Sequence, residues 1–80
     1  MNKKTTIKIF TAETLSFYDG QNGQPAYVAV DGLVYDVSKA FINGSHINHQ
    51  AGQDLSADFH SIHAMDIINK YPVVGKYKTK

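Results

Sequence analysis

Two apolar runs meet across a polar dipeptide near the middle of the chain. Ala26-Tyr27-Val28-Ala29-Val30 reads as a buried strand, Asp31-Gly32 as a two-residue turn, and Leu33-Val34-Tyr35-Asp36-Val37 as the returning strand. Asp-Gly suits a tight hairpin because both turn residues must take positive φ. Upstream, Ile9-Phe10 predicts a short strand. Thr11 follows as an N-cap for a helix over Ala12 to Tyr18, with Glu13 at the positive end of the helix dipole. The third residue after Thr11 is Thr14, not Glu or Gln, so no capping box is expected. Phe10, Leu15 and Tyr18 are spaced to share one face.

The run from Asp19 to Pro25 is a loop by composition. Ser38 can cap a short turn through Ala40-Phe41-Ile42, which Asn43-Gly44 breaks. Asp54 or Ser56 can cap a helix ending near His60. A second helix, from about Ala64 to Lys70, sets Met65 with Ile68, and Ile67 with Tyr71, at helical spacing. Pro72 stops it, and Val73-Val74 reads as a last strand. The expected fold is α+β: a small sheet built from both ends of the chain, with helices between.

Eighty residues bound this to one domain with a thin core. A basic tail over 1–8, a folded body over 9–77 and a short tail over 78–80 are expected. With no cysteine there is no disulfide, so a cofactor in the core is a plausible extra source of stability. The formal charge of +1 hides an asymmetry. From Ile9 to Asn69 seven acids face one lysine, Lys39, a balance of −6. An acidic body disfavours nucleic acid as partner. No run reaches the ~20 apolar residues of a membrane span. Met1-Asn-Lys-Lys has the charge of a signal-peptide start without the apolar segment after it. A soluble, cytoplasmic protein is the expectation, and the lack of cysteine fits a reducing compartment.

All four histidines fall in one window: His46-Ile-Asn-His49, then His60-Ser-Ile-His63. Spacing of i, i+3 would place each pair on one helical face. Three chemistries compete. The residues can be ordinary polar positions. They can form a zinc site, completed by Asp54 or Asp58, although thiolates and an HExxH pair are absent. Or one imidazole from each pair can hold a haem iron. Apolar walls for such a slot are at hand in Phe41, Ile42, Ile47, Leu55, Phe59, Ile62, Met65, Ile67 and Ile68, residues that would otherwise simply be core. With no CxxCH, any haem would be non-covalent, as haem b.

Ile9-Phe10-Thr11, Tyr18-Asp19-Gly20, the run from Pro25 to Ser38, Ala51-Gly52-Gln53-Asp54-Leu55-Ser56 and Pro72-Val73-Val74-Gly75 together resemble a cytochrome b5-like haem/steroid-binding domain. The resemblance spans roughly residues 9 to 77. It implies a small mixed sheet and helical hairpins that form a haem pocket, with one axial histidine from each side. His63 stands where the family's second ligand follows the AG-x-D helix and a buried Phe, here Phe59. His60 is then a polar wall or surface residue. The family's HPGG and its following helix are missing. His49-Gln50-Ala51-Gly52 has the form left if that helix were deleted, so His49 is the expected first ligand, with His46 the alternative. The membrane-associated progesterone receptor branch places a Tyr shortly before AG, where this chain has Ile47, Asn48 and His49.

The resemblance implies a small b-type electron carrier rather than an enzyme. Its partner would be a redox protein with a basic docking face, steered by the acidic body. The alternative is a haem module for storage, delivery or sensing, with five-coordinate iron.

Overall fold

The computed structural model describes residues 8–41, 45–46, 49–61 and 65–79, and only the backbone at Ser45, His46 and His49. In chain order the elements are β1 (Ile9–Phe10), α1 (Ala12–Leu15), β2 (Tyr27–Val30), β3 (Leu33–Asp36), β4 (Ser45–His46), β5 (His49–Gln50), β6 (Gln53–Asp54), α2 (Ser56–Ser61), α3 (Met65–Ile68) and β7 (Val73–Tyr77). Five strands form one sheet in the order β1-β7-β3-β2-β6, and β4-β5 stands apart as a two-stranded ribbon. β1 runs parallel to β7, so both ends of the described chain meet in the sheet.

The β2–β3 hairpin has the expected register, with Val30 opposite Leu33. Asp31 has φ 52° and Gly32 φ 84°, the double left-handed turn that matches the twist of the strands. Side chains alternate across the sheet because successive Cβ atoms point to opposite faces. Val28, Val30 and Tyr35 enter one core with Val37, Phe41, Leu55, Phe59 and Ile68. Ala29 and Val34 enter the other with Phe10 and Leu15. Each fully buried Val, Leu, Ile or Phe contributes about 1.5–3 kcal/mol by leaving water.

The second core is aromatic. Tyr18 and Tyr27 stack at 4.7 Å, and Phe10 meets their edges at 5.6 and 5.7 Å. Phe10, Leu15 and Tyr18 therefore do share a face, but α1 ends at Leu15 rather than Tyr18. Beyond it, Phe17 and Tyr18 bond back three residues to the carbonyls of Thr14 and Leu15, a tighter turn that swings Tyr18 onto Tyr27. The helix start also differs from expectation. The Thr11 amide donates to Thr14 Oγ1 at 2.9 Å, and the Thr14 amide donates back to Thr11 Oγ1 at 3.2 Å. This is a capping box, with the Thr hydroxyl replacing the usual carboxyl or amide group.

Strand β6 has no apolar signature. Its position comes from flanking backbone bonds: Gly52 N–H donates to the Tyr27 carbonyl at 2.7 Å, and Leu55 N–H to that of Ala29 at 2.8 Å. These fasten the start of α2 to the edge of β2. The second helix is shorter than expected. α3 is described as Met65–Ile68, and Lys70 and Tyr71 close it with bonds to Ile67 and Ile68.

Candidate functional site

Five of the nine apolar residues expected at the site share one core. Phe41, from the turn after β3, meets Leu55, Phe59 and Ile68 in the core under α2 and α3, with Met65 and Tyr71 packed against it. The Phe41 turn forms because its amide and that of Ala40 both donate to the Val37 carbonyl. Ile68 is wholly buried, whereas its neighbour Ile67 is 55% exposed. The two isoleucines thus face different surroundings: one completes the core, the other lies at the surface of α3. Ile42, Ile47 and Ile62 fall outside the described residues.

Helix α2 is fastened at both ends to the β2–β3 turn. Asp54 caps it, its Oδ1 accepting from the Ser56 amide at 2.9 Å and the Ser56 hydroxyl at 2.6 Å. The Asp31 amide donates to Ser56 Oγ at 2.7 Å. At the other end, His60 Nε2 donates to both carboxylate oxygens of Asp31, at 2.9 and 2.8 Å. His60 is therefore a surface residue tied to a turn, as the resemblance implied, and Asp54 is a helix cap.

His46 and His49 do not lie on a helical face: they are register partners in the β4–β5 ribbon, flanking a two-residue connection. The i, i+3 spacing that suits a helix also suits a tight hairpin, and no core-facing apolar period favours the helix here. The expected ligand His63 lies outside the described residues, in the segment that joins α2 to α3. Among the described residues no cluster of three or more His, Cys, Asp or Glu could hold a metal ion.

Gly52 shows why an AG pair precedes α2. Ala51 is buried in the main core, and Gly52 has φ 88°. A Cβ there would come within 3.2 Å of Asp19 Cβ and 3.4 Å of the Ser16 carbonyl. The loop after α1 can therefore close over the strand that leads to the site.

A family described as "Cytochrome b5-like Heme/Steroid binding domain" matches residues 11–78. The chain belongs to this cytochrome b5-like family. Among curated proteins, a "Neuferricin homolog" of Drosophila pseudoobscura pseudoobscura is 38% identical over 59 residues, covering 70% of this chain and 21% of that protein. The chain spans about a fifth of that relative's length. Two solved archaeal structures are similar throughout. A cytochrome b5 domain protein of Hadesarchaea YNP_N21 has 43% identity and TM-score 0.82, covering 90% of this chain and all of that one. One from Methanococcoides burtonii has 38% identity and TM-score 0.83, covering 91% and 100%. A hypothetical protein from Arabidopsis thaliana, titled as having a cytochrome b5 like fold, has 28% identity and TM-score 0.66, covering 96% and 98%. The cytochrome b5-like α+β fold inferred from the sequence therefore stands. Among the described residues no helix is long and apolar enough to cross a membrane.

Two features of the site escaped the sequence. The Asp31–His60 pair joins residues 29 apart in the chain, a separation at which no local pattern reports contact. The β4–β5 ribbon was hidden because its strands have two residues each.

Proposed function

We propose that this domain binds haem b non-covalently and carries single electrons, with His63 and His49 as axial ligands and His46 as the alternative to His49. The observation that carries the reading is the convergence of Phe41, Leu55, Phe59 and Ile68 in one core beneath the two helices that His63 connects. That wall suits the flat apolar faces of a porphyrin, and imidazole nitrogen suits iron. The chain has no cysteine, so no thioether can tether the group.

In this reading the residues divide the work. Phe41, Leu55, Phe59 and Met65, with Ile42, Ile47, Ile62, Ile67 and Ile68, exclude water from the ring. His63 and His49 would supply neutral nitrogen donors to the iron; with both bound, no position would be left for a substrate, which favours a carrier over an enzyme. Haem supplies a one-electron ferrous/ferric couple. Its potential is set by the axial pair, by hydrogen bonds to their other ring nitrogens and by burial. The acidic body suits docking onto a basic face of a redox partner, which would raise the on-rate and make it salt-sensitive.

Visible spectra of oxidised and reduced protein test this. A six-coordinate, low-spin spectrum that reduces reversibly is expected. His63→Ala and His49→Ala should each abolish tight binding or give a high-spin form, while His46→Ala should be mild. A high-spin wild-type spectrum would instead support haem storage, delivery or sensing. A severe His46→Ala beside a mild His49→Ala would exchange the first-ligand assignment.

A further inference from the structure

The helices cover only part of one sheet face. In the main core, Val28, Val30, Tyr35 and Val37 of the β2–β3 hairpin meet Phe59 of α2 and Ile68 of α3. Among the described residues, β1 and β7 give this core no side chain. Yet alternation turns an aliphatic residue of each strand to that same face. Ile9 points away from its neighbour Phe10, which is buried in the second core. Val73 is the register partner of Tyr35, which is buried in the main core. Ile9 is 51% exposed and Val73 52%.

Lys76 joins them on the open face. A Cβ at Gly75 would meet Phe10, and Tyr77 packs on the second core, so the residue between them is turned the other way. Lys76 is the partner of Ile9 on β1 and of Leu33 on β3, so one row across the sheet reads Ile9-Lys76-Leu33. A lysine so placed lays its aliphatic stem along apolar neighbours and keeps its ammonium in water. Neither β1 nor β7 carries an acid. The acid of β3, Asp36, is engaged by the Ser38 amide and hydroxyl. At the opposite edge of the sheet the charge is reversed: β6 and the helix after it carry Asp54 and Asp58.

We propose that this open strip of Ile9, Leu33, Val73 and Lys76 docks onto the anionic surface of a lipid bilayer. Lys76 reaches a lipid phosphate, and Ile9 and Val73 enter the headgroup boundary beside it. Shape favours a surface over an acidic polypeptide. Shallow cavities lie beyond either end of the strip, one at Tyr77 and Lys78, the other at Lys70 and Pro72, and none of the four residues lines either. An extended chain would find no groove along the strip. Their linings add Lys39, Lys70 and Lys78 against Asp36 and Glu13, a further positive balance. Docked in this way, the chain keeps Asp54 and Asp58 on the far edge of the sheet, open to a basic protein partner. The inference does not depend on the haem reading.

Co-sedimentation of the full chain with phosphatidylcholine vesicles, with and without about a third phosphatidylglycerol, tests this. Only the anionic vesicles should carry the protein down, and about 0.5 M salt should release most of it. Lys76→Gln should weaken binding about fivefold, the worth of one lysine near such a surface, and Lys76→Arg should bind as the wild type does. Ile9→Thr and Val73→Thr keep the β-branch and lose apolar surface; each should weaken binding about twofold to fivefold. Lys8→Gln removes the same charge from the other face, where the Lys8 ammonium lies over the Phe10 and Tyr18 rings, and should weaken it by less than about twofold. Urea midpoints close to that of the wild type confirm that the variants fold, as exposed positions allow. No binding to the anionic vesicles at low salt overturns the inference, as does equal binding to neutral ones. Equal weakening by Lys8→Gln and Lys76→Gln would mean that net charge alone drives adsorption, and the strip is then no docking surface. If polyglutamate binds more tightly than the vesicles and Lys76→Gln abolishes that binding, the strip takes an acidic polypeptide and the lipid assignment falls.

Discussion

Gly75 shows how one residue sets the approach of two strands. A Cβ at this position would lie 2.5 Å from the Lys8 carbonyl oxygen and 2.7 Å from Phe10 Cε1. Neither neighbour can give way cheaply. The Lys8 carbonyl accepts from the Lys76 amide at 2.9 Å, and Phe10 is wedged against two tyrosine rings. Gly75→Ala should therefore part β1 from β7 and cost about 1–3 kcal/mol, as overpacking does. Urea unfolding checks this: an unchanged midpoint would mean β1 moves freely. The sequence marks this glycine only as the end of Pro72-Val73-Val74-Gly75. The reason for it lies 65 residues away, at Phe10, where no local pattern reaches. His60 is the same case at the site: its histidine was visible, its Asp31 partner was not.

Elements with a strong local signal were legible, and those held by distant bonds were not. The β2–β3 hairpin carries both its apolar alternation and its turn chemistry in ten adjacent residues, and its register came out as read. Strand β6 is two exposed polar residues placed by amides on either side of it. The first histidine pair was assigned helical spacing and lies on a ribbon. Within α3 the sequence could not separate Ile67 from Ile68, since both fit an apolar period, yet one is exposed and the other buried. That difference divides two roles. Ile68→Ala should cost the apoprotein about 2–4 kcal/mol, because it leaves a cavity in the core. Ile67→Ser should move apoprotein stability by no more than about 0.5 kcal/mol, but should weaken haem affinity if this side chain forms part of the pocket edge. Chemical unfolding and haem titration on the same two variants separate the effects. Equal losses of stability would show that α3 is seated differently from this structure.

At the scale of the molecule, the sheet divides the core into two parts with different demands. The aromatic side is complete without a ligand: Phe10, Tyr18 and Tyr27 lock together, and Leu15 seals them. It also carries a pH limit. Burial pushes the Tyr27 phenol up from its ordinary value of 10.0, and the neighbouring Asp36 carboxylate adds to the shift. Above about pH 10 the unfolded chain gives up this proton while the folded chain keeps it, so stability is intact below that pH and falls as pH rises further. Tyr27→Phe should flatten that alkaline loss; a curve unchanged by the substitution would assign it to other groups. The opposite side depends on α2 and α3, which have six and four residues and must draw their order from the wall they cover. Local openings are easiest where few buried contacts hold an element. Hydrogen exchange of the apoprotein should thus find β2, β3 and β7 protected, while the amides of Phe59 and Asn69 exchange early. Both amides bond within their helices, to Leu55 and Met65, so their protection reports those turns directly. Adding haem should slow these two amides and leave the strand amides unchanged. If the strands slow equally, the two sides form one cooperative unit and the helices are not a separately ordered lid on the sheet.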